Sequence, residues 1–247
     1  MFETTKEKID FLIVVAVLGF VFGFDDGSKT FDFGIWISNI VMMIVFAAIA
    51  VLVNQFGHWF VASRYGCDIV FGLWITHRYN IRKSAKLRRG FPIGILLSLI
   101  LTLFSSGQVP FGAIWTNKVE PSRKSRFGRK YISMSDLELA RIHAAGPIVL
   151  VVFALLLKPL VDIFPEMKSL AFVCMALAVA TLIPFPMLAG NHVIFTSFTL
   201  WFVVVIFVIV SILANLWSSG LLAFILGVLL ALIAMIVHVY YKHKPYK

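Results

Sequence analysis

Charged side chains are scarce in this sequence. Only 14% of its 247 residues are Asp, Glu, Lys or Arg, whereas 60% are hydrophobic. A soluble domain has roughly 45–50% apolar and about 25% charged residues, so this composition excludes a water-soluble globule. The mean hydropathy of +0.95 agrees with that conclusion. We therefore expect an integral membrane protein built from helices.

The sequence also lacks cysteine pairs and, over one long stretch, any charge. Cys67 and Cys174 are far apart and form no CxxC motif, which excludes a disulfide framework. Residues 169–241 contain no Asp, Glu, Lys or Arg. Since one helix needs ~20 apolar residues to cross a bilayer, this stretch is long enough for about three crossings. The mixed charges of residues 1–10 and the absence of a cleavage site argue against a signal peptide.

Six apolar stretches predict spanning helices. They cover residues 11–24, 33–63, 142–157, 170–185, 193–214 and 221–241. Pro184 and Pro186 are expected to break the fourth helix, and the polar residues 215–220 predict a tight hairpin between the last two. A further stretch, residues 91–104, is shorter and is followed by a polar turn. We interpret it as a re-entrant or interfacial segment, in an all-α polytopic membrane fold.

The positions of the basic residues predict the topology. Residues 64–90 contain seven basic and one acidic side chain, residues 118–141 contain seven and three, and the tail after Tyr241 contains three lysines. A re-entrant segment at 91–104 leaves all three on one side, as the positive-inside rule favours. We expect cytoplasmic termini in the cell membrane of a prokaryote, with a basic collar that attracts anionic lipid headgroups. Because this collar accounts for the net charge of +10, we expect no nucleic-acid partner.

Polar residues inside apolar helices are candidates for function because burying them in a membrane is costly. Asn54 and His58 lie four residues apart in the second helix, and therefore share one helical face. Five segments carry a recognisable pattern: residues 54–58 (NQFGH), 60–67 (FVASRYGC), 110–115 (PFGAIW), 145–150 (AGPIVL) and 181–190 (TLIPFPMLAG).

These segments resemble the site-2 protease family of intramembrane zinc metalloproteases, particularly its compact archaeal-type members. The family has an H-E-x-x-H motif, an A-G-P-x-x-N motif and a third motif similar to N-L-L-P-x-x-P-L-D-G. The resemblance covers residues 40–195. It implies a single membrane domain over residues 1–247, with a protease-like core at 33–192 and a C-terminal helical hairpin and basic tail at 193–247.

The departures from the family pattern fall on the residues that perform its chemistry. In the family, two histidines and an aspartate ligate zinc, and a glutamate is the general base. By the resemblance, Asn54, Gln55 and Ala189 occupy the first histidine, glutamate and aspartate positions, and only His58 is retained. One imidazole does not hold a zinc ion, and an amide cannot accept the proton of a metal-bound water. We expect no metal and no other cofactor.

The family's two motif asparagines are also replaced, by Leu150 and Thr181. These additional losses favour natural loss of catalysis, with an engineered variant as the alternative. The resemblance thus implies a pseudoprotease, not an enzyme. Its role would be that of a structural or binding subunit that packs against partner transmembrane helices in a membrane complex.

A former substrate groove is expected at four residues of the A-G-P motif and the third motif. They are Gly146, Pro147, Pro184 and Pro186.

Two other functions stay open. An active intramembrane metalloendopeptidase would need a non-standard zinc site, for which His58, His143 and His192 are the candidates. The plainer interpretation of His143 and His192 is that they are interfacial histidines bonded to backbone or water. A small transporter or channel is less favoured, because no acidic residue lies within a predicted core span and no inverted repeat is evident.

Overall fold

The structure is a computed structural model that describes residues 4–25, 27, 32–78, 86–122, 134–217 and 220–243. Most of the described residues are helical. The helices are α1 (Thr5–Gly23), α2 (Phe33–Arg64), α3 (Ile93–Phe104), α4 (Asp136–Val161), α5 (Met167–Leu182), α6 (Ala189–Thr196), α7 (Phe198–Trp217) and α8 (Gly220–His243). The strands are β1 (Cys67–Leu73), β2 (Thr76–Arg78), β3 (Lys86–Phe91) and β4 (Trp115–Pro121).

Three of the described helices are long and apolar enough to cross a membrane. They are Phe33–Arg64, Asp136–Val161 and the Phe198–Leu216 part of α7. The chain is therefore a membrane-embedded protein, as the composition predicts. The prediction of six spans is not supported. The apolar helix α5, for example, has 16 residues and a length of about 24 Å, against ~30 Å of bilayer hydrocarbon.

The fifth predicted span, residues 193–214, is wrong as a single helix. Ser197 interrupts it with extended backbone angles, φ −151° and ψ 97°. Its N–H donates to the carbonyl of Val193, which ends α6, and its hydroxyl oxygen accepts from the N–H of Leu200 in the first turn of α7. A serine that bonds to nearby backbone competes with the helical ladder, which explains the break.

The basic segments contain short strands that the all-α prediction missed. β1 pairs with β4, and β2 pairs with β3 in antiparallel register, with Thr76 opposite Phe91. α3 follows β3 and has 12 residues, or about 18 Å, which is too short for one crossing. That length fits the re-entrant or interfacial segment, which stays a prediction.

The chain forms two compact units. The N-terminal unit comprises residues 2–48 and 70–118, and the C-terminal unit comprises residues 49–69 and 119–247. The division falls within α2 and within the β1–β4 pair. The single-domain organisation stays a prediction.

In the N-terminal unit, α1 packs closely on the first half of α2. Gly19 and Gly23 lie against Ile44 and Ile40, where a Cβ atom would come within 2.8 Å and 2.9 Å of the two isoleucine Cα atoms. The side-chain amide of Asn39 donates to the carbonyl of Gly23 at 3.0 Å and satisfies the end of α1. Small residues thus set the spacing of these two helices.

In the C-terminal unit, α4 packs against α5, α6, α7 and α8. It begins with a capping box in which Ser135 and Glu138 satisfy each other's backbone N–H groups. Pro159 lacks the N–H that would bond the carbonyl of Leu155. Gly220, the first residue of α8, lies against that carbonyl so closely that a side chain there would overlap it.

Candidate functional site

Two glycines bring α2 and α4 into close contact in the C-terminal unit. At Gly57 of α2, an added Cβ would lie 2.9 Å from the carbonyl oxygen of Ala145. At Gly146 of α4, an added Cβ would overlap the Nε2 atom of His58 and would lie 2.8 Å from Nδ2 of Asn54. Asn54 and His58 therefore point together at the glycine of the AGP segment.

His58 is buried and has a defined hydrogen bond. Its Nδ1 atom lies 2.7 Å from the carbonyl oxygen of Ile142, the residue before His143 on α4. Since a carbonyl can only accept, Nδ1 carries the proton and donates, and Nε2 is the acceptor nitrogen of the neutral ring. The bond fixes the ring against α4, with Nε2 beside Gly146.

Three histidines from three different helices form a row, which we call the histidine row: His58 on α2, His143 on α4 and His192 on α6. The ring centroids of His58 and His143 are 6.0 Å apart with the planes at 70°. Those of His143 and His192 are 4.5 Å apart with the planes at 11°, so these two rings are stacked. Burial lowers the pKa of His192, which lies outside the three candidate spans, so its ring is neutral near pH 7.

The histidine row does not have the geometry of a metal centre. An imidazole binds a metal through a lone pair in its ring plane, and the stacked planes of His143 and His192 are nearly parallel. Among the residues that the structure describes, no three side chains of His, Cys, Asp or Glu are placed to hold a metal ion. A zinc site at His58, His143 and His192 would require a stacked ring to turn, and it stays a prediction.

Asn54 is an unusual residue at this site. Its side chain is fully buried, and neither Oδ1 nor Nδ2 has a hydrogen-bond partner among the described residues. The Nδ1 atom of His143 is likewise buried without a partner there. Each such atom costs about 1–3 kcal/mol relative to a satisfied one. Gln55, the next residue of α2, is also buried at 3% exposure.

The segment between α5 and α6 is shaped by a carbonyl that a proline leaves free. Pro186 has no N–H for the carbonyl of Leu182, four residues earlier. The indole N–H of Trp201 donates to that carbonyl at 3.1 Å, and Gly190 lies against it. Ala189 is the first residue of α6, half-buried, with a methyl group in place of any ligand atom.

The four predicted groove residues lie in two different environments. Gly146 and Pro147 are buried in α4, whereas Pro184 and Pro186 are exposed. Pro184 lines an apolar groove between α5 and α7, which we call the α5–α7 groove. Its lining residues are Val179, Leu182, Ile183, Pro184, Trp201, Val205, Val208 and Ile209. Gly146 and Pro147 do not line it, and Gly146 lies against His58 of α2.

The sequence analysis does not single out Trp201, whose indole donates to the carbonyl of Leu182. The available signal was the spacing of Leu182 and Pro186, because a proline four residues after a helical residue frees its carbonyl. The distant donor that satisfies the carbonyl has no local signature.

No family model, no curated protein and no solved structure matches this chain. The resemblance to site-2 proteases therefore stays a prediction that rests on the sequence motifs.

Proposed function

We propose that this chain is a catalytically inactive, site-2 protease-like membrane protein that binds a transmembrane segment of a partner protein. One observation carries the proposal. His58 lies in the first motif, His143 lies two residues before the AGP segment, and His192 lies two residues after the third motif. Because these three histidines form one row, the ends of the three motifs come close together. An active-site arrangement of the resembled kind would bring the same three segments together.

The side chains at the decisive positions support the loss of catalysis. Gln55 is a neutral amide that cannot accept a proton at the position of the general base. Asn54 is directed at Gly146, and Ala189 offers no donor atom. His58 alone retains a ligand's chemistry: its Nδ1–H donates to the carbonyl of Ile142, which leaves Nε2 as the acceptor nitrogen. One imidazole does not hold a zinc ion.

The α5–α7 groove is the proposed binding surface for the partner segment. Its walls are entirely apolar apart from the indole of Trp201, which is engaged with Leu182. Ile209 and Val179 remain 47% and 43% exposed on its rim. Lipid tails are as apolar as these side chains, so the hydrophobic effect does not favour contact with a protein helix over contact with lipid. Close packing in such a groove would instead provide the attraction between helices.

The proposal includes a topology. We infer six crossings with cytoplasmic termini, with α3 re-entrant or interfacial, in the cell membrane of a prokaryote. The basic segments 64–90 and 118–141 then lie on the cytoplasmic side, against anionic headgroups. The shorter apolar helices, α5 and Gly220–Ile236 of α8, would cross by locally thinning the bilayer.

Site-specific photo-crosslinking in native membranes tests the binding role. A photoreactive amino acid replaces Ile209 on the groove in one variant and Ile233 of α8 in a matched control. Ile233 is 54% exposed and does not line the groove. We expect a discrete protein adduct at 209, with the crosslinked peptide in a transmembrane segment, and only lipid adducts at 233. Identical adducts at both positions, or none at 209, would contradict the proposal.

The alternative function, a metalloendopeptidase with zinc on His58, His143 and His192, is favoured only by the proximity of these three rings. It predicts stoichiometric metal in the purified wild-type protein, which the pseudoprotease proposal does not.

A further inference from the structure

A second cavity lies at the opposite end of α4 from His143. It has a volume of about 470 Å³ and is lined by the last turns of α4, the first turns of α5 and the end of α7. Charged residues at this end border the apolar span of α4 (Asp136–Val161). We therefore expect the cavity to lie at the level where a membrane passes from hydrocarbon to headgroups.

Two lysines give the cavity its cationic side. The amine of Lys158 donates to the backbone carbonyl of Asn215 near the end of α7, which holds it at the cavity wall. The side chain of Lys168 lines the cavity and is exposed, and its amine has no hydrogen bond or ion pair with the described residues. Two ammonium groups beside an apolar cavity are typical of a site for a lipid phosphate.

Two acceptors lie in the same cavity. Asp162 lines it and presents an exposed carboxylate. Asn215 lines it as well, and its buried Oδ1 atom has no hydrogen-bond partner among the described residues. A carboxylate and an amide oxygen both accept hydrogen bonds, and an ionised phosphate offers no N–H donor to either. A ligand that carries a phosphate and an N–H or O–H donor would suit both the lysines and these two acceptors.

The remaining walls suit acyl chains. Phe172 is 57% exposed and Leu216 is 71% exposed, and both line the cavity. The other apolar lining residues are Ala154, Val161, Ala171 and Met175. A ligand with a charged head and apolar chains would thus place each part against a matching surface.

We propose that this cavity is a binding site for a phospholipid with an ethanolamine headgroup. The phosphate pairs with Lys158 and Lys168. The ammonium of the headgroup pairs with Asp162 and donates to Oδ1 of Asn215, which satisfies both acceptors. A choline headgroup carries no N–H donor, so it would leave them unsatisfied. This proposal does not depend on the pseudoprotease proposal.

Native mass spectrometry of the 247-residue chain in detergent tests the site, with dioleoyl lipids that differ only in headgroup. We expect phosphatidylethanolamine to bind about tenfold more tightly than phosphatidylcholine, the effect of one charge-assisted hydrogen bond. Phosphatidylglycerol should fall between them. Equal affinity for the ethanolamine and choline lipids, or tighter binding of phosphatidylglycerol, would overturn the assignment.

Exposed residues provide variants that leave the core intact. D162N is expected to reduce ethanolamine lipid affinity to the choline level, and K168Q is expected to weaken both. The matched controls are D68N and K118Q, two exposed residues that do not line the cavity. Equal effects of D68N and D162N would also overturn the proposal. Glycerophosphoethanolamine, which has no acyl chains, should not compete at the lipid's concentration. Effective competition would make the site one for a soluble phosphate ester.

Discussion

The Nε2 atom of His58 occupies the space into which a side chain at position 146 would project. His58 belongs to α2 and Gly146 to α4, and the contact is possible only because residue 146 has no Cβ. The hydrogen bond from Nδ1 of His58 to the carbonyl of Ile142 holds the ring in that position. The glycine and the histidine are thus complementary parts of one helix crossing.

Gly146→Ala should destabilise the protein. The new methyl group would meet a ring that is 1% exposed and anchored by its hydrogen bond. Overpacking of this kind costs about 1–3 kcal/mol. Thermal unfolding in detergent, followed by intrinsic fluorescence, should show a lower midpoint.

Gly34→Ala is the control, because its Cβ would meet only Oδ1 of Asp32 at 3.3 Å. Alanine at this helical position should leave the stability of the protein unchanged or raise it slightly. Adding His58→Ala should partly restore the stability of Gly146→Ala. A wild-type midpoint for Gly146→Ala would refute the close crossing.

Trp201→Phe should also lower stability, because it removes the donor to the carbonyl of Leu182 but keeps an aromatic ring. The expected loss is about 1 kcal/mol, or roughly 2–4 °C in the unfolding midpoint. Trp59→Phe is the matched control, since Trp59 is 45% exposed on α2. Equal shifts in the two variants would mean that the hydrogen bond makes no contribution.

The proposed topology predicts the side of the membrane on which each segment between the spans lies. Cys67 and Cys174 are both buried and would be replaced by alanine to give a cysteine-free background. Ser84→Cys and Ser125→Cys should then react with a membrane-impermeant maleimide from the cytoplasmic side only. Ile163→Cys should react from the other side only. Labelling of positions 84 and 125 from opposite sides would show that residues 91–104 cross the membrane.

The long helices were predictable because apolar runs without charge have few other solutions in a membrane. α2 and α4 follow that rule. The strands were not predictable from the sequence, because the Lys- and Arg-rich segments that contain β2 and β3 show no apolar alternation. The break at Ser197 was missed because one serine in an apolar run looks like any tolerated polar residue, and only its backbone hydrogen bonds reveal the helix end.

The candidate site divides in the same way. That Asn54 and His58 share a face follows from helical spacing, and the sequence predicts it. The stacking of His143 on His192 joins residues 49 positions apart on α4 and α6, and depends on how those helices pack. Neither spacing nor composition contains that information.

The metal content of two purified proteins tests the central claim most directly. One is the wild type, and the other carries Asn54→His, Gln55→Glu and Ala189→Asp, which would rebuild the ligand set of the resembled family around His58. With equimolar zinc, elemental analysis should find no stoichiometric metal in the wild type and one zinc per chain in the triple variant. That zinc should be lost when His58→Ala is added. One metal ion per wild-type chain that His58→Ala removes, or a folded triple variant without zinc, would contradict a degenerate protease-like site.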